Sequence, residues 1–397
     1  MDLLPKSEAA GRVAQLQQWM QRSSLDAVFV FQNVDLFYFA GTMQSGLLCI
    51  PNSGEPLYFV QKSLTRARME SPWEHLLPFP GFKKLPDWLA GEGVQTLCRV
   101  GIESDVLPTA YYLRLRDQFP AVQFVDASET IRTIRMVKSR HESDQIRRAG
   151  RMLRSAFERM PQWARPGATE LQVMAQMECC LRGIGHPGIV RMRGFNNQIG
   201  FGTISSGASA SYPTPFPGPV GSVGLTPAAP GGGSEHVLTS GETLMADIVG
   251  CAGGYIADVT RIFVLGSAPR DMVEAHRFVL ELNREIETML KPGTLCSHMY
   301  RHALERIKES PYAQGFMGAG DGQVQFLGHG VGLELDELPV LAGGFDIPLQ
   351  PGMTIAIEPK IIFAGRGGVG IENTYLVTES GFETVTDFPE EIIRIEA

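Results

Sequence analysis

Apolar positions recur at helical spacing near the amino terminus. Val13, Leu16, Trp19 and Met20 predict a helix over 8–22, and 26-DAVFVF-31 follows as a buried strand. The runs 47-LLCI-50 and 57-LYFV-60 flank Pro-Asn-Ser-Gly-Glu-Pro, whose residues favour a turn, so they predict a strand pair. The runs 97-LCRVGI-102 and 122-VQFVD-126 alternate with helical stretches, and the first third therefore reads as an α/β domain. The pattern changes between Ser128 and Lys138, and 141–160 follows as a long charged amphipathic helix in which 142-ESD-144 reads as a solvated face. The expected domains are thus 1–130 and 131–397, with 131–160 as the connecting helix.

In the second domain a helix runs from Thr169, its N-cap, to about Arg182, with Glu170 in its first turn. The segment 207–234 is rich in Gly, Ser, Pro and Ala; a stretch this long without regular structure usually marks a functional loop. Two helices, about 270–290 and 295–308, are separated by Pro292-Gly293. Apolar strands before and after them make this domain α+β.

Within these strands lie acids where none should be. In 244-LMADIVGCAGGYIADVTRIFVL-265, a four-residue turn at Cys-Ala-Gly-Gly would pair Gly250 with Tyr255 and place Asp247 directly opposite Asp258. The last strands, 353–362 and 368–378, flank a turn over 363–367 and pair Ile362 with Gly368, which sets Glu358 opposite Glu372. Like charges so opposed repel, and buried carboxylates without partners are costly, so positive charge must lie between them. His329, set among Gly328, Gly330 and Gly332, adds an imidazole. Four carboxylates and one imidazole suit two divalent cations such as manganese or iron, which would neutralise the acids and generate a bridging hydroxide at neutral pH.

The remaining composition narrows the class. Hydrophobic residues are 44% and charged ones 20%, as in ordinary globular proteins, and the net charge of −8 argues against nucleic acid or an anionic membrane as partner. The six cysteines are scattered without a C-x-x-C pair, no run of about 18 apolar residues occurs, and the amino terminus lacks the pattern of a signal peptide. A cytoplasmic protein is expected. Cys251 reads as an apolar filler.

Four pieces carry a family resemblance: 247-DIVGCAGGYIADVTRIF-263, 328-GHGVGL-333 with 337-ELP-339, 357-IEP-359 and 371-IENTYLVTESG-381. Together they resemble the pita-bread-fold metallopeptidases, in the branch of aminopeptidase P, prolidase and creatinase. Upstream, 12-RVAQLQQWM-20, 35-DLFYFAG-41 and 132–149 resemble that branch's amino-terminal domain and connecting helix. The resemblance implies metal ligation by Asp247, Asp258, His329, Glu358 and Glu372, with Glu358 as proton shuttle. It also implies Xaa-Pro cleavage in short peptides by a metal-bridging hydroxide, two divalent ions (manganese, with iron, cobalt or zinc as alternatives) and a homodimer.

The chain also departs from that pattern. Where the family carries an asparagine and a histidine ahead of the first aspartate, this sequence has Ser209 and Thr214; where a second histidine follows the ligand histidine, it has Asp336. Gly370 stands where arginine is frequent, and Asn373 where aspartate is common. Asp336, Thr214, His236 and Arg366 are the candidate substrate contacts, the last two as side chains able to reach into the pocket and His236 as a replacement for a missing histidine. Such changes leave two other readings: an enzyme of this scaffold acting on a small non-peptide amide or amidine, and a non-catalytic metal-binding homologue.

Overall fold

In the computed structural model, which describes residues 3–396, the chain divides between Arg135 and Met136 into two compact units. The first unit is built on a six-stranded mixed sheet. Its strands are β1 (Ala27–Val30), β2 (Gly46–Pro51), β3 (Leu57–Val60), β4 (Leu76–Pro78), β5 (Arg99–Ile102) and β6 (Gln123–Asp126), in the order β4-β3-β2-β1-β5-β6. All of β1 is buried, which is why it reads as an unbroken apolar run. The helix Lys6–Arg22 buries Val13, Leu16 and Met20.

The second unit opens with the helix Arg140–Phe157, capped reciprocally by Ser139 and Glu142. Glu142 and Ser143 are buried by that cap, so 142–144 is not the solvated face the charge pattern predicts; only Asp144 is exposed. This helix lies close against a long hairpin: a Cβ at Gly250 would sit 2.7 Å from the Ala149 carbonyl oxygen.

The hairpin joins β8 (Thr243–Ala252) to β9 (Tyr255–Leu265), and with β7 (Gly202–Ser206) and β17 (Ile393–Ile395) it forms a sheet ordered β17-β9-β8-β7. Its turn is Gly253-Gly254 alone, at φ 58° and 91°, a two-residue turn whose positive φ values glycine adopts freely. The strands therefore run two residues further than expected, and Asp247 pairs with Thr260 while Asp258 pairs with Val249. A slip of two keeps every side chain on its face, so the aspartates share a face diagonally instead of directly.

The remaining strands are β10 (Phe326–Gly330), β11 (Glu337–Ala342), β12 (Thr354–Ile357), β13 (Lys360–Phe363), β14 (Gly367–Gly370), β15 (Asn373–Val377) and β16 (Phe382–Thr384). Five form a sheet ordered β11-β10-β12-β15-β16, and β13 pairs with β14 alone. Ile362 pairs with Gly368 and Ile357 with Asn373, so one register runs through both pairs, as the sequence predicts. The expected pair of long strands is nonetheless broken at 358–359 and 371–372. Pro359 is the reason: it has no N–H to give Ile371, although its carbonyl still accepts from Ile371 N. The helices Arg270–Glu287 and Cys296–Lys308 contribute Val279, Leu282, Ile286 and Met299 to a core that also holds Met245, Ile262, Ile355 and Tyr375.

Candidate metal centre

Glu358 and Glu372 lie at the break, where their backbones leave the ladder. Glu358 N donates to Leu327 O, and Thr260 and Glu372 exchange two backbone hydrogen bonds of 3.3 Å. The second exchange ties the broken pair to the β8–β9 hairpin at Thr260, the residue opposite Asp247. His329, on β10, pairs with Ala356, two residues before Glu358. All five predicted ligand residues line one narrow pocket, with a cavity volume of about 50 Å³.

Side-chain bonds fix the acids further. Thr260 Oγ1 donates to Glu372 Oε2 at 2.8 Å, and Asp258 N donates to Thr374 Oγ1 at 2.8 Å. Arg261, almost fully buried, donates to the Thr260 and Glu372 carbonyls and to Asn373 Oδ1. Asn373, one of the departures, is thus a structural joint between Arg261, Glu390 and Tyr375. His329 Nδ1 lies 3.1 Å from the Gly330 carbonyl, which can only accept, so Nδ1 carries the hydrogen of the neutral ring and Nε2 turns its lone pair inward. Glu337 accepts from Leu333 N and Glu334 N and from Lys138 Nζ, and so holds the loop that carries Asp336.

The cluster has two sides. On the first, His329 Nε2 is 3.6 Å from Glu358 Oε1 and 4.0 Å from Glu372 Oε1. Glu372 Oε1 is enclosed and has no hydrogen-bond partner. Ligand atoms of Asp258, His329 and Glu372 lie within 4.8 Å of one another, and this mixed oxygen and nitrogen set, with its orphaned oxygen, fits a divalent ion. On the second side lies Lys360, fully buried, with Nζ 3.1 Å from Asp247 Oδ2, 2.7 Å from Glu358 Oε2 and 2.9 Å from Glu372 Oε2.

The charges respond accordingly. Burial raises Glu358 to about 7, against the lowering effect of Lys360. Burial and the neighbouring Glu372 and Asp247 push Asp258 well above the usual carboxylate range. Glu372 is held below that range despite its burial, by Lys360 above all. Burial works against the Lys360 ammonium, but Asp247, Glu358 and Glu372 outweigh it and hold its pKa well above the usual lysine value.

Two of the four candidate substrate contacts face the pocket. Asp336 lines it, with Oδ1 3.8 Å from His329 Nδ1, and Thr214 lines it while its hydroxyl donates to the Phe216 carbonyl. The stretch from Phe216 to Val220, in the Gly/Pro-rich segment, forms a wall of the pocket. His236 and Arg366 do not line it. His236 Nε2 is bonded to Glu242 Oε2 at 2.9 Å, and the exposed Arg366 reaches out to Asp271 at 2.7 Å, so neither replaces a missing histidine. Ser209 instead donates to Glu170, whose buried carboxylate also receives Ser206 N and Ser234 and anchors both ends of the Gly/Pro-rich segment. Lys360 escaped the sequence reading, although it stands two residues from Glu358 in an apolar strand and so on the same face. Cys251 is buried and burial pushes its thiol up to about 11, which suits a filler.

A creatinase-type first unit followed by an α+β unit with a buried carboxylate–imidazole cluster defines a pita-bread metallopeptidase. The chain belongs to Metallopeptidase family M24, which it matches over residues 144–379, and it matches the Creatinase/Prolidase N-terminal domain over residues 12–137. Membership implies divalent metal ions. The chain is 27% identical over 385 residues to a Xaa-Pro dipeptidase of Pyrococcus horikoshii, covering 96% of this chain and 98% of that one. It is 29% identical over 293 residues to a probable dipeptidase PepE of Mycobacterium tuberculosis, covering 74% and 69%. Among solved structures, the prolidase of Pyrococcus horikoshii superposes with a TM-score of 0.81 at 25% identity over 96% of this chain and all of that one. A Xaa-Pro dipeptidase from Bacillus anthracis, at 23% identity and a TM-score of 0.82 over 97% and 99%, shares the fold.

Proposed function

We propose that this protein is a metal-dependent exopeptidase of the Xaa-Pro type acting on short peptides. The observation that carries the reading is the convergence of Asp247, Asp258, His329, Glu358 and Glu372 on one pocket in a chain of this family. These five are the proposed ligand residues, with manganese as the ion, which supplies a Lewis acid to the scissile carbonyl when bound. Glu358, whose Oε1 lies 3.6 Å from His329 Nε2 at the pocket, is the proposed shuttle, a carboxylate placed to accept and return a proton. Asp336 and Thr214 are the proposed substrate contacts; the Asp336 carboxylate at the pocket suits the free ammonium of a peptide. The cavity, about 50 Å³ and walled in part by Phe216–Val220, suits short substrates. A cytoplasmic homodimer completes the reading; the six cysteines are free, and no helix among the described residues is long and apolar enough to cross a membrane.

The test is hydrolysis of Xaa-Pro dipeptides and tripeptides after manganese loading, with Asp258→Ala as control. Cleavage by the parent and none by the variant supports the reading. A second reading, a small cationic amide or amidine as substrate, is favoured by one observation: an acid, Asp336, faces the pocket at the position where the family resemblance leads one to expect a histidine. Turnover of such compounds without peptide cleavage would select it.

A further inference from the structure

We infer that Lys360 is a built-in cation occupying one of the two positive positions of the carboxylate cluster, so that the site takes a single divalent ion, on the side of Asp258, His329 and Glu372. The inference rests on the reading of this cluster as the family's metal centre and concerns how many ions it holds.

The two glutamates divide their oxygens between two places. Glu358 and Glu372 each turn Oε1 toward His329 Nε2 and Oε2 toward Lys360 Nζ. A carboxylate so divided bridges two cations, and here one of the two is covalently part of the chain. Nζ has three donors, and three acceptors surround it at 2.7–3.1 Å, one each from Asp247, Glu358 and Glu372. Its hydrogen bonds are therefore all used, and Lys360 has no exposed surface through which to withdraw to water. A second divalent ion bound through Asp247, Glu358 and Glu372 would compete for the oxygens that hold the ammonium and would face its positive charge at close range.

The opposite strand accommodates this arrangement. Lys360 pairs with Gly370, and a Cβ at 370 would stand 2.5 Å from Lys360 Cγ. The glycine at the position where arginine is frequent thus opens the space that the lysine stem fills. On the His329 side Glu372 Oε1 accepts no hydrogen bond, and the ligand atoms of Asp258, His329 and Glu372 lie close enough together to hold an ion.

The experiment is metal stoichiometry of the full-length protein, stripped with chelator and titrated with Mn²⁺, read by elemental analysis after desalting and by electron paramagnetic resonance. The expected result is one Mn²⁺ per chain with the six-line spectrum of an isolated ion. Two Mn²⁺ per chain with an exchange-coupled spectrum would overturn the inference, and so would no Mn²⁺ at all. Lys360→Gly and Lys360→Met, refolded or expressed with Mn²⁺ present, are expected to raise the count from one to two; a count that stays at one in folded variants would also overturn it. The wild-type count decides even where the variants fail to fold. Peptide cleavage is scored separately. One ion without cleavage leaves the inference standing and removes the peptidase reading, whereas two ions with cleavage do the reverse.

Discussion

The β8–β9 hairpin and the β12–β15 region each bring two acids to the same pocket, by opposite means. In the hairpin the ladder is continuous from Thr243 to Ala252, and Asp247 and Asp258 are placed by register alone. In the second region the ladder is interrupted, and Glu358 and Glu372 occupy the gap, with their backbone groups bonded to Leu327 and Thr260 instead of to each other. A continuous ladder fixes which face an acid takes; a broken one lets the chain turn an acid toward a third strand. The site needs both, because its ligands come from two sheets.

If the break is where the site is most finely placed, the largest effect should come from Glu372, whose two oxygens serve the two sides of the cluster. Glu372→Gln is expected to lose ion binding and to reduce kcat/KM by at least about a thousandfold, ~4 kcal/mol of transition-state stabilisation. Steady-state kinetics with a parallel metal analysis checks it; a variant retaining the ion and a tenth of the activity would remove Glu372 from the centre.

The next test uses pH on the ion-free protein. Glu358 in the fold holds its proton up to about 7, whereas in the unfolded chain it releases it near the ordinary value of 4.5. Between these values the folded state binds more protons, so stability falls as pH rises, by on the order of 3 kcal/mol for a shift of this size. Asp258, also raised, acts in the same direction. Urea midpoints in chelator across pH 4.5–7 should decline and, with Mn²⁺ added, should cease to do so. A flat profile without metal would mean that burial does not hold the Glu358 proton in the folded state.

A smaller effect is expected one residue outside the cluster. Thr260 is the hairpin residue that bonds Glu372, through both backbone and hydroxyl. Thr260→Val keeps the shape and deletes the hydroxyl, and should weaken Mn²⁺ binding by about 10–100-fold while the fold persists. Isothermal titration measures it, and an unchanged affinity would mean that the two regions are placed independently.

The same contrast explains what was legible in the sequence. Alternation and glycine punctuation revealed the strands and their faces, because side-chain period survives a two-residue error; the hairpin turn was misjudged as four residues, yet both aspartates stayed on the correct face. Residue partners were less legible, since register depends on turn length and Gly253-Gly254 leaves no side chain to mark it. The break was readable from Pro359, which cannot serve a continuous ladder, but the apolar run around it concealed the signal. His236 and Arg366 were misplaced because a loop's path is set by its anchors, here Glu242 for His236 and the sequence-remote Asp271 for Arg366. Lys360 was missed for a different reason: a lysine in a strand reads as an edge or surface residue unless its depth is known.

The smallest effect should come from the turn of the continuous hairpin. Gly254 sits at φ 91°, where an L side chain is strained, and Gly254→Ala should cost about 1–2 kcal/mol. Ten paired positions follow that turn before the strands end, and both aspartates lie inside them. The cross-strand bonds on either side of Asp258 and Asp247 hold the register even where the tip is distorted, so the loss should appear in the thermal midpoint and leave Mn²⁺ affinity and kcat/KM within twofold of the parent. If activity fell in proportion to stability instead, the hairpin would be transmitting strain along its length, and its acids would be as sensitive to distant backbone changes as those at the break.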